Sequence, residues 1–258
     1  GSHRSCDLFT AADGLRSNAR KMLFGSDSDF ITPTGYKCAA FQFPKLPDSN
    51  DGAHSYGEPG RVTDIFAMDE NNMAGMFIWN DEFSSLDNTK SVREQLKFAF
   101  KKAHPYPLEI IDQLDDNEQI YLDTIEMVKM PKWRNQRCLL LGDSAHCLTL
   151  ASGQGASVAM VSAYMLYEAL KNSDNIDTAL QQHDKRLRPL VESIQSRARK
   201  VIKGYVPATK FSFWLRNFIF QYGPKEWISS FIVNSIRKEA SLVAKTLEQD
   251  DYDESRAE

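Results

Sequence analysis

The feature that most constrains the fold is the stretch Arg137–Ser157, which reads RCLLLGDSAHCLTLASGQGAS. Its apolar run Cys138–Leu141 is typical of a strand that is buried on both faces. A turn follows at Gly142–Asp143, and glycines at 153 and 155 precede a predicted helix. A carboxylate beside a helix N-terminus predicts a pocket for a polar, electron-rich ligand. A strand–turn–helix unit without a ligand fits the same spacing equally well.

Composition limits the classes of function. The formal net charge of −4 argues against a general nucleic-acid binder, which normally carries a basic face. No apolar run approaches the roughly 20 residues of a membrane span. The cysteines form no CxxC pair, which fits reduced thiols better than disulfides or a zinc site. We therefore expect a cytoplasmic protein without a nucleic-acid partner, a bound metal or a stable membrane span.

The N-terminal part predicts a strand, a turn and a short helix. Cys6–Ala12 is a short apolar run that ends in the turn residues Asp13 and Gly14. Ser17–Phe24 has the pattern of a brief helix, and Gly25 is its predicted stop.

The middle of the chain, 31–128, has β-type residues separated by prolines and glycines. We predict a mostly antiparallel sheet with one or two helices. The predicted strands are Tyr36–Phe43, Arg61–Met68, Gly75–Trp79 and Tyr121–Met130, and the predicted helices are Ser91–Ala103 and Leu108–Leu114. Ser91 and Glu94 have capping-box spacing. His54, Tyr56 and Arg61 could line a substrate cavity or lie on the sheet surface.

Helical patterns dominate the rest of the chain. Gly155–Leu170 predicts one helix, and Ile176–Lys203 predicts one long helix or two, with a kink or restart at Pro189. The aromatic-rich segment 210–233 favours a pair of helices facing the core. A surface for a partner or a membrane is the alternative. The acidic tail Glu248–Glu258 is predicted to be disordered.

Two motifs resemble those of a known family. PKWRNQRCLLLGDSAHCLTLASGQGASVAMVSAYMLYEAL, at 131–170, is similar to the second FAD-binding motif of flavin-dependent aromatic hydroxylases of the p-hydroxybenzoate hydroxylase type. CDLFTAADGLRSNARKMLFG, at 6–25, resembles the DG motif of that family, with Ser17 and Arg20 three and six residues after Gly14. The order of the motifs and the β-rich segment between them also follow the family plan. The resemblance covers roughly residues 4 to 200.

The resemblance implies FAD as the cofactor and NAD(P)H as the reductant. It implies that Asp143 bonds the ribityl chain, that Asp13 and Gly14 approach the pyrophosphate and ribityl region, and that helix-start N–H groups stabilise the reduced flavin. The FAD-binding residues that it implies are Asp13, Gly14, Gly142, Asp143, Gly153, Gln154, Gly155 and Ala156. The implied reaction is hydroxylation or epoxidation of an aromatic or polyketide-like small molecule with O2. No catalytic residue follows from it.

Two residues of the second motif have more than one interpretation. In the resembling motif His146 is mainly structural, and an acid–base role is the minor alternative because no partner carboxylate can be identified. Cys147 is expected to be a buried, small apolar residue rather than a nucleophile.

The 258 residues contain no GxGxxG unit of the kind with which the family begins. Three explanations stay open: a fragment of a full monooxygenase, a shortened flavin-free homologue acting as a binding protein, cyclase or accessory subunit, or a separate chain that supplies the missing unit.

We therefore expect an α/β protein. Its parts are a partial, Rossmann-like FAD-binding half at 4–30 and 129–203, an inserted antiparallel β-sheet substrate domain at 31–128, and C-terminal helices with an acidic tail at 204–258.

Overall fold

The structure is a computed structural model, and it describes residues 5–46, 52–82, 89–115, 120–150 and 153–224. The strands, in chain order, are β1 Phe9–Ala11, β2 Ile31–Pro44, β3 Ala53–Glu58, β4 Arg61–Ala67, β5 Asn72–Asn80, β6 Tyr121–Val128, β7 Arg134–Asn135 and β8 Cys138–Leu140. The helices are α1 Asn18–Leu23, α2 Asp27–Phe30, α3 Val92–Phe100, α4 Pro105–Gln113, α5 Asp143–His146, α6 Gly155–Lys171, α7 Ile176–Tyr205 and α8 Lys210–Tyr222. The fold is therefore of the mixed α/β class, as predicted.

The chain divides into two compact units. One contains 1–32, 126–201 and 224–258, and the other contains 33–125 and 202–223. The first unit thus has pieces on both sides of the second in sequence. Residues 202–223 belong with the sheet-rich unit, whereas 204–258 was predicted to be a separate region of C-terminal helices and tail.

The first unit is built on a small sheet in the order β1-β8-β7. β1 runs parallel to β8, with Phe9 opposite Cys138 and Ala11 opposite Leu140, and β7 is antiparallel to β8. Leu139 and Leu140 of β8 are buried as predicted, because side chains of α6 and α7 pack around them, whereas Cys138 and Leu141 are half-buried. The core residues from these helices include Val158, Val161, Met165, Leu180, Leu187, Leu190, Val191 and Ile194.

Helix α7 runs without interruption through Pro189. Proline in a helix interior removes one backbone hydrogen bond and usually destabilises the helix. Here the side chains before and after it, Leu187 and Leu190, are buried in the same core. Packing of this face offsets the lost bond, so the alternative of two helices with a restart is wrong.

The second unit has an antiparallel sheet in the order β3-β4-β5-β2-β6, as predicted for the middle of the chain. Helices α3 and α4 pack on it through Leu96, Phe100, Ile110 and Ile111. Ser91 and Glu94 form the predicted capping box at the start of α3. Large, fully buried side chains of the sheet, among them Met73, Phe77 and Trp79, belong to its core.

The exposure of the aromatic helix α8 differs from the prediction. A core-facing helix pair was predicted for 210–233, but α8 has no buried residue. The large apolar side chains of this helix are exposed, and they include Phe211, Trp214, Leu215, Phe218, Ile219, Phe220 and Tyr222. The apolar side chains favoured burial, but no element of the described residues covers them. Residues 225–233 lie outside the described residues.

Across the described ranges, no helix combines the length and apolar character that crossing a bilayer requires. The four cysteines are free thiols.

Candidate functional site

The two sequence motifs meet at one edge of the small sheet. β1 leads into Asp13–Gly14, and β8 leads into Gly142–Asp143. The carboxyl ends of parallel strands lie at the same edge, where ligands of open α/β sheets bind. The pairing continues one step beyond β8, since the Leu141 N–H donates to the carbonyl oxygen of Ala11 at 2.8 Å. The structure therefore brings the two predicted loops together.

The first loop is organised by the Asp13 carboxylate. It accepts hydrogen bonds from the Ser17 hydroxyl at 2.5 Å and from the Ala19 backbone N–H at 3.0 Å. Partial burial raises the pKa of Asp13, but these hydrogen bonds outweigh it and the pKa is lowered overall. Gly14 has φ +79°, and a Cβ atom there would meet no atom within 4 Å. Asp13 thus fixes the loop, while Gly14 leaves open space beside it.

Arg20 joins the first motif to the second. It is completely buried, and its guanidinium donates to the Ser144 carbonyl at 3.0 Å, to the Leu15 carbonyl at 2.6 Å and to the Asp27 carboxylate at 2.6 Å. Burial pushes the pKa of Asp27 upward, but hydrogen bonds from Arg20 and Lys21 outweigh it and lower the pKa.

The resemblance of the first motif implied no role for Arg20 at the site. The only signal was its position six residues after the motif glycine. Ser144 reinforces the same connection, because its hydroxyl donates to the Ala11 carbonyl at 2.8 Å.

The second loop turns sharply at Gly142. Its backbone has φ 64° and ψ −137°, and a Cβ atom there would stand 3.2 Å from the Cβ of Ala159 on α6. Glycine is required for both the conformation and the close approach. The turn places Asp143 beside the start of α6, since a Cβ atom added at Gly155 would stand 3.8 Å from Asp143 Oδ1.

Asp143 is exposed by surface area, yet the surrounding protein raises its pKa. Desolvation is the main cause, and a hydrogen bond from Cys147 opposes it. The carboxyl group thus lies open to a ligand in a partly desolvated position. Such a group gains from any hydroxyl that donates to it.

The start of α6 is also open. Gly153 and Ala156 are exposed, and within the described residues the N-cap residue makes no side-chain hydrogen bond to the first N–H groups of this 17-residue helix. Uncapped N–H groups at the positive end of a helix favour negative charge on a ligand. Gln154 is the N-cap residue and Gly155 the first helical residue. Residues 151–152 of the same loop lie outside the described residues.

His146 is a structural residue in this fold. It is buried against Trp133, with ring centroids 4.9 Å apart, and the guanidinium carbon of Arg188 lies 4.2 Å from the centroid of the Trp133 ring. Burial lowers the pKa of His146 to about 4, so the imidazole is neutral at pH 7. This agrees with the structural interpretation of the motif histidine.

The buried imidazole gives stability a pH dependence. The pKa of His146 is about 4 when folded and 6.5 in a model compound. Between these values the unfolded chain binds a proton that the folded chain does not. The stability contribution is therefore fully present above pH 6.5 and is lost as the pH falls through the folded pKa, at about 1.4 kcal/mol per pH unit. We expect His146→Gln to reduce the slope of the unfolding free energy with pH between pH 7 and 4. The reduction should correspond to about one proton fewer taken up on unfolding, and urea denaturation at several pH values measures it.

The matched control is His104→Asn. His104 is exposed and caps the start of α4 with its ring, a role that asparagine can keep. Its replacement removes one imidazole but leaves the buried site of His146 intact, so the slope assigned to His146 should persist. A residual slope is expected in His146→Gln, because burial also lowers the pKa of His183. Equal slopes in wild type and His146→Gln would contradict the assignment.

Cys147 is buried, and burial raises the pKa of its thiol to about 12. A protonated, buried thiol is a poor nucleophile, which supports the interpretation of Cys147 as a packing residue. Within the described ranges, no group of three or more His, Cys, Asp and Glu side chains is placed to hold a metal ion.

A cavity of about 280 Å³ lies elsewhere in the first unit. Its lining includes Met130, Trp133, His146, Arg188 and Gln195, and contains neither Asp143 nor the start of α6. This cavity is therefore distinct from the predicted pocket. In the second unit, Tyr56 packs between the rings of His104 and Tyr106, at 4.9 and 5.5 Å.

The chain is similar in sequence to known FAD-dependent proteins. Residues 2–185 match the family model described as FAD binding domain. The chain is 29% identical over 210 residues to the FAD-dependent monooxygenase asL6 of Sarocladium schorii, which covers 76% of this chain and 49% of that protein. The chain spans about half the length of the curated relatives that it matches.

Solved structures show the same fold. The crystal structure of the tetracycline destructase Tet(55) aligns with a TM-score of 0.71 and 26% identity, over 83% of this chain and 58% of that chain. The Klebsiella pneumoniae HpxO structure, complexed with FAD and uric acid, aligns with a TM-score of 0.70 and 20% identity, over 96% of this chain and 61% of that one.

Proposed function

Since this chain belongs to the FAD-binding domain family, we propose that it forms the flavin-ring side of the FAD site in a flavin-dependent monooxygenase. The observation that carries the proposal is the meeting of the two motif loops at one sheet edge, with the Asp143 carboxylate beside the uncapped start of α6. We assign the FAD-binding half to 4–30 and 129–203, and the substrate domain to 31–128.

The residues present fit this part of FAD. Gly14 and Gly153 have positive φ and no atom within 4 Å of an added Cβ, so backbone can approach a ligand there without a side chain between them. Asp143 supplies an exposed acceptor for ribityl hydroxyls. The N-terminal turn of α6 supplies donors for the electron-rich pyrimidine edge of the flavin.

Each group has a separate task in this proposal. Asp143 accepts hydrogen bonds from the ribityl chain and orients it. Backbone N–H groups of Gly155 and Ala156 stabilise negative charge on the pyrimidine edge, while Gly142 lets the strand pass close to α6. Asp13 holds the first loop in shape so that Gly14 can approach the cofactor. Bound FAD supplies O2 activation and oxygen transfer, after reduction by NAD(P)H.

We propose an aromatic or polyketide-like small molecule as the substrate. One similar structure is named as a tetracycline destructase, and one relative is named as an FAD-dependent monooxygenase. These names support hydroxylation or epoxidation rather than the flavin-free alternative of a binding protein, cyclase or accessory subunit. The four free thiols are consistent with our proposal of a cytoplasmic location.

The open edge of β1 supports a further strand beside the site. Within the described residues β1 is an edge strand, and its Phe9 side chain is 47% exposed. Parallel strands are usually covered and paired on both sides. We propose that a βαβ unit pairs with this edge and supplies the adenosine and pyrophosphate half of the FAD site. A separate chain is one source of that unit.

The test is flavin binding by an Asp143 variant. We expect Asp143→Ala to weaken riboflavin binding about 10- to 100-fold, because a hydrogen bond to a charged group contributes about 1.5 to 3 kcal/mol. Riboflavin is the chosen probe because it contains the ring and ribityl chain but lacks the half assigned to the βαβ unit. Fluorescence quenching measures the affinity, and an absorbance spectrum with added FAD gives an independent readout.

Lumiflavin provides the matched ligand control, because it has the ring but no ribityl chain. Its affinity should be unchanged by Asp143→Ala. Asp174→Ala, which removes an exposed carboxylate before α7, should leave both affinities unchanged. Equal riboflavin affinity in wild type and Asp143→Ala would refute the assigned role.

A further inference from the structure

Helix α8 uses one face to pack against the second unit. Arg216 donates to the Tyr205 carbonyl at 2.6 Å, and its guanidinium lies 4.9 Å from the Phe213 ring centroid. A Cβ atom added at Gly57 would stand 3.3 Å from that ring. Phe213 and Arg216 therefore define the docked face of the helix.

The opposite face carries an aromatic ladder, which consists of Phe211, Trp214, Phe218 and Tyr222. Their spacing of three and four residues places them in one row along a helix. Successive ring centroids are 6.3, 5.4 and 5.0 Å apart. The four residues are 69, 58, 45 and 68% exposed. A helix that is apolar on both faces is normally buried on both.

The segment that contains α8 differs in charge from the rest of its unit. Residues 202–223 contain three basic residues, Lys203, Lys210 and Arg216, and no Asp or Glu. The rest of the unit, 33–125, contains sixteen acidic and eight basic residues. The exposed ladder is thus carried by a basic segment on an acidic unit, which favours an anionic partner.

The amino-acid types favour a lipid surface over an acidic protein. Tryptophan and tyrosine rings are enriched where an apolar interior meets water, and basic side chains interact there with anionic headgroups. A helix with such rings on one face lies in the plane of the interface. We propose that α8 docks on an anionic membrane surface through the aromatic ladder, with Lys203 and Lys210 near the headgroups.

Vesicle binding tests the proposal. The full chain is mixed with phosphatidylcholine vesicles that contain or lack phosphatidylserine, and bound protein is measured by co-sedimentation. We expect about tenfold stronger binding to the anionic vesicles, and a decrease at high salt. Combined replacement of Phe211, Trp214 and Phe218 by serine should lower binding to the anionic vesicles at least tenfold.

The control is Phe98→Ser, which removes an aromatic ring of α3 that is 52% exposed in the same unit. It should bind vesicles like wild type, and circular dichroism should show both variants folded. Failure of the wild type to bind anionic vesicles would overturn the proposal, as would full binding by the triple variant. A dimer in light scattering that the triple variant loses would assign the ladder to a second copy instead.

Discussion

Arg20→Met is expected to lower the free energy of unfolding by about 3 to 5 kcal/mol, because it removes the completely buried partner of an ion pair together with the donor of two backbone carbonyl groups. The guanidinium is completely buried and holds the Leu15 and Ser144 carbonyls as well as Asp27. Methionine keeps much of the length but leaves the two carbonyl groups without this donor, while Asp27 keeps only Lys21, whose Nζ lies 3.0 Å away. Since domains are typically stable by only about 5 to 15 kcal/mol, this loss is large. Urea denaturation measures it.

Arg137→Met is the matched control. Arg137 is 66% exposed in its side chain and lies 3.7 Å from Asp7, which is also exposed. A surface pair of this kind contributes about 0 to 1 kcal/mol, so its loss should change stability little. Arg20→Lys should also be destabilising, because one ammonium group cannot reproduce the planar fork of a guanidinium. Similar losses in Arg20→Met and Arg137→Met would contradict the role of Arg20 as the link between the motifs.

Gly142→Ala is expected to cost about 2 to 5 kcal/mol of folding free energy. Two causes add. The backbone at φ 64° and ψ −137° is strained for any residue with a Cβ atom, and that atom would stand 3.2 Å from the Cβ of Ala159. Because the turn presents Asp143, riboflavin binding should weaken in the same variant. Denaturant unfolding and fluorescence quenching measure the two effects.

Gly153→Ala separates the two causes. Gly153 has φ +63°, but an added Cβ atom would meet nothing within 4 Å. Its replacement should therefore cost only the backbone strain, about 1 to 2 kcal/mol. Ala159→Gly combined with Gly142→Ala should recover part of the steric cost, and a double-mutant cycle measures that coupling. An equal cost at Gly142 and Gly153 would show that the contact with α6 is unimportant.

Local patterns predicted the elements that local chemistry determines. The capping box at Ser91 and Glu94 predicted the start of α3, and the continuous apolar run at Cys138–Leu141 predicted a buried strand. In both cases neighbouring residues contain the information. The glycine-rich start of α6 was predictable for the same reason.

β3 was not predicted, because its stability depends on pairing. The sequence Ala53–Glu58 has few apolar residues and lies among glycines and prolines, which indicated turns. In the structure its backbone pairs with β4, from Ala53 opposite Phe66 to Glu58 opposite Arg61. Backbone hydrogen bonding to a neighbouring strand is not visible in side-chain patterns.

The loops of the candidate site were predictable from the sequence, but the side-chain contacts that connect the loops were not. Asp13, Gly14, Gly142 and Asp143 were identified from the motifs, and the structure places both pairs at one sheet edge. The contact from Arg20 to Ser144 spans 124 residues of sequence, so no local pattern could indicate it. The exposure of α8 has the same origin, because burial is decided by which element covers a helix.

The pairing of β1 with β8 has a consequence for the order of folding. Phe9 pairs with Cys138, and nearly the whole sheet-rich unit lies between them in sequence. Closing a loop of that length is slow and loses chain entropy before any contact compensates for it. Prior folding of the insert would shorten the effective loop. We infer that the antiparallel sheet forms first, and that the edge formed by β1 and β8 is assembled last, after β8 has left the ribosome.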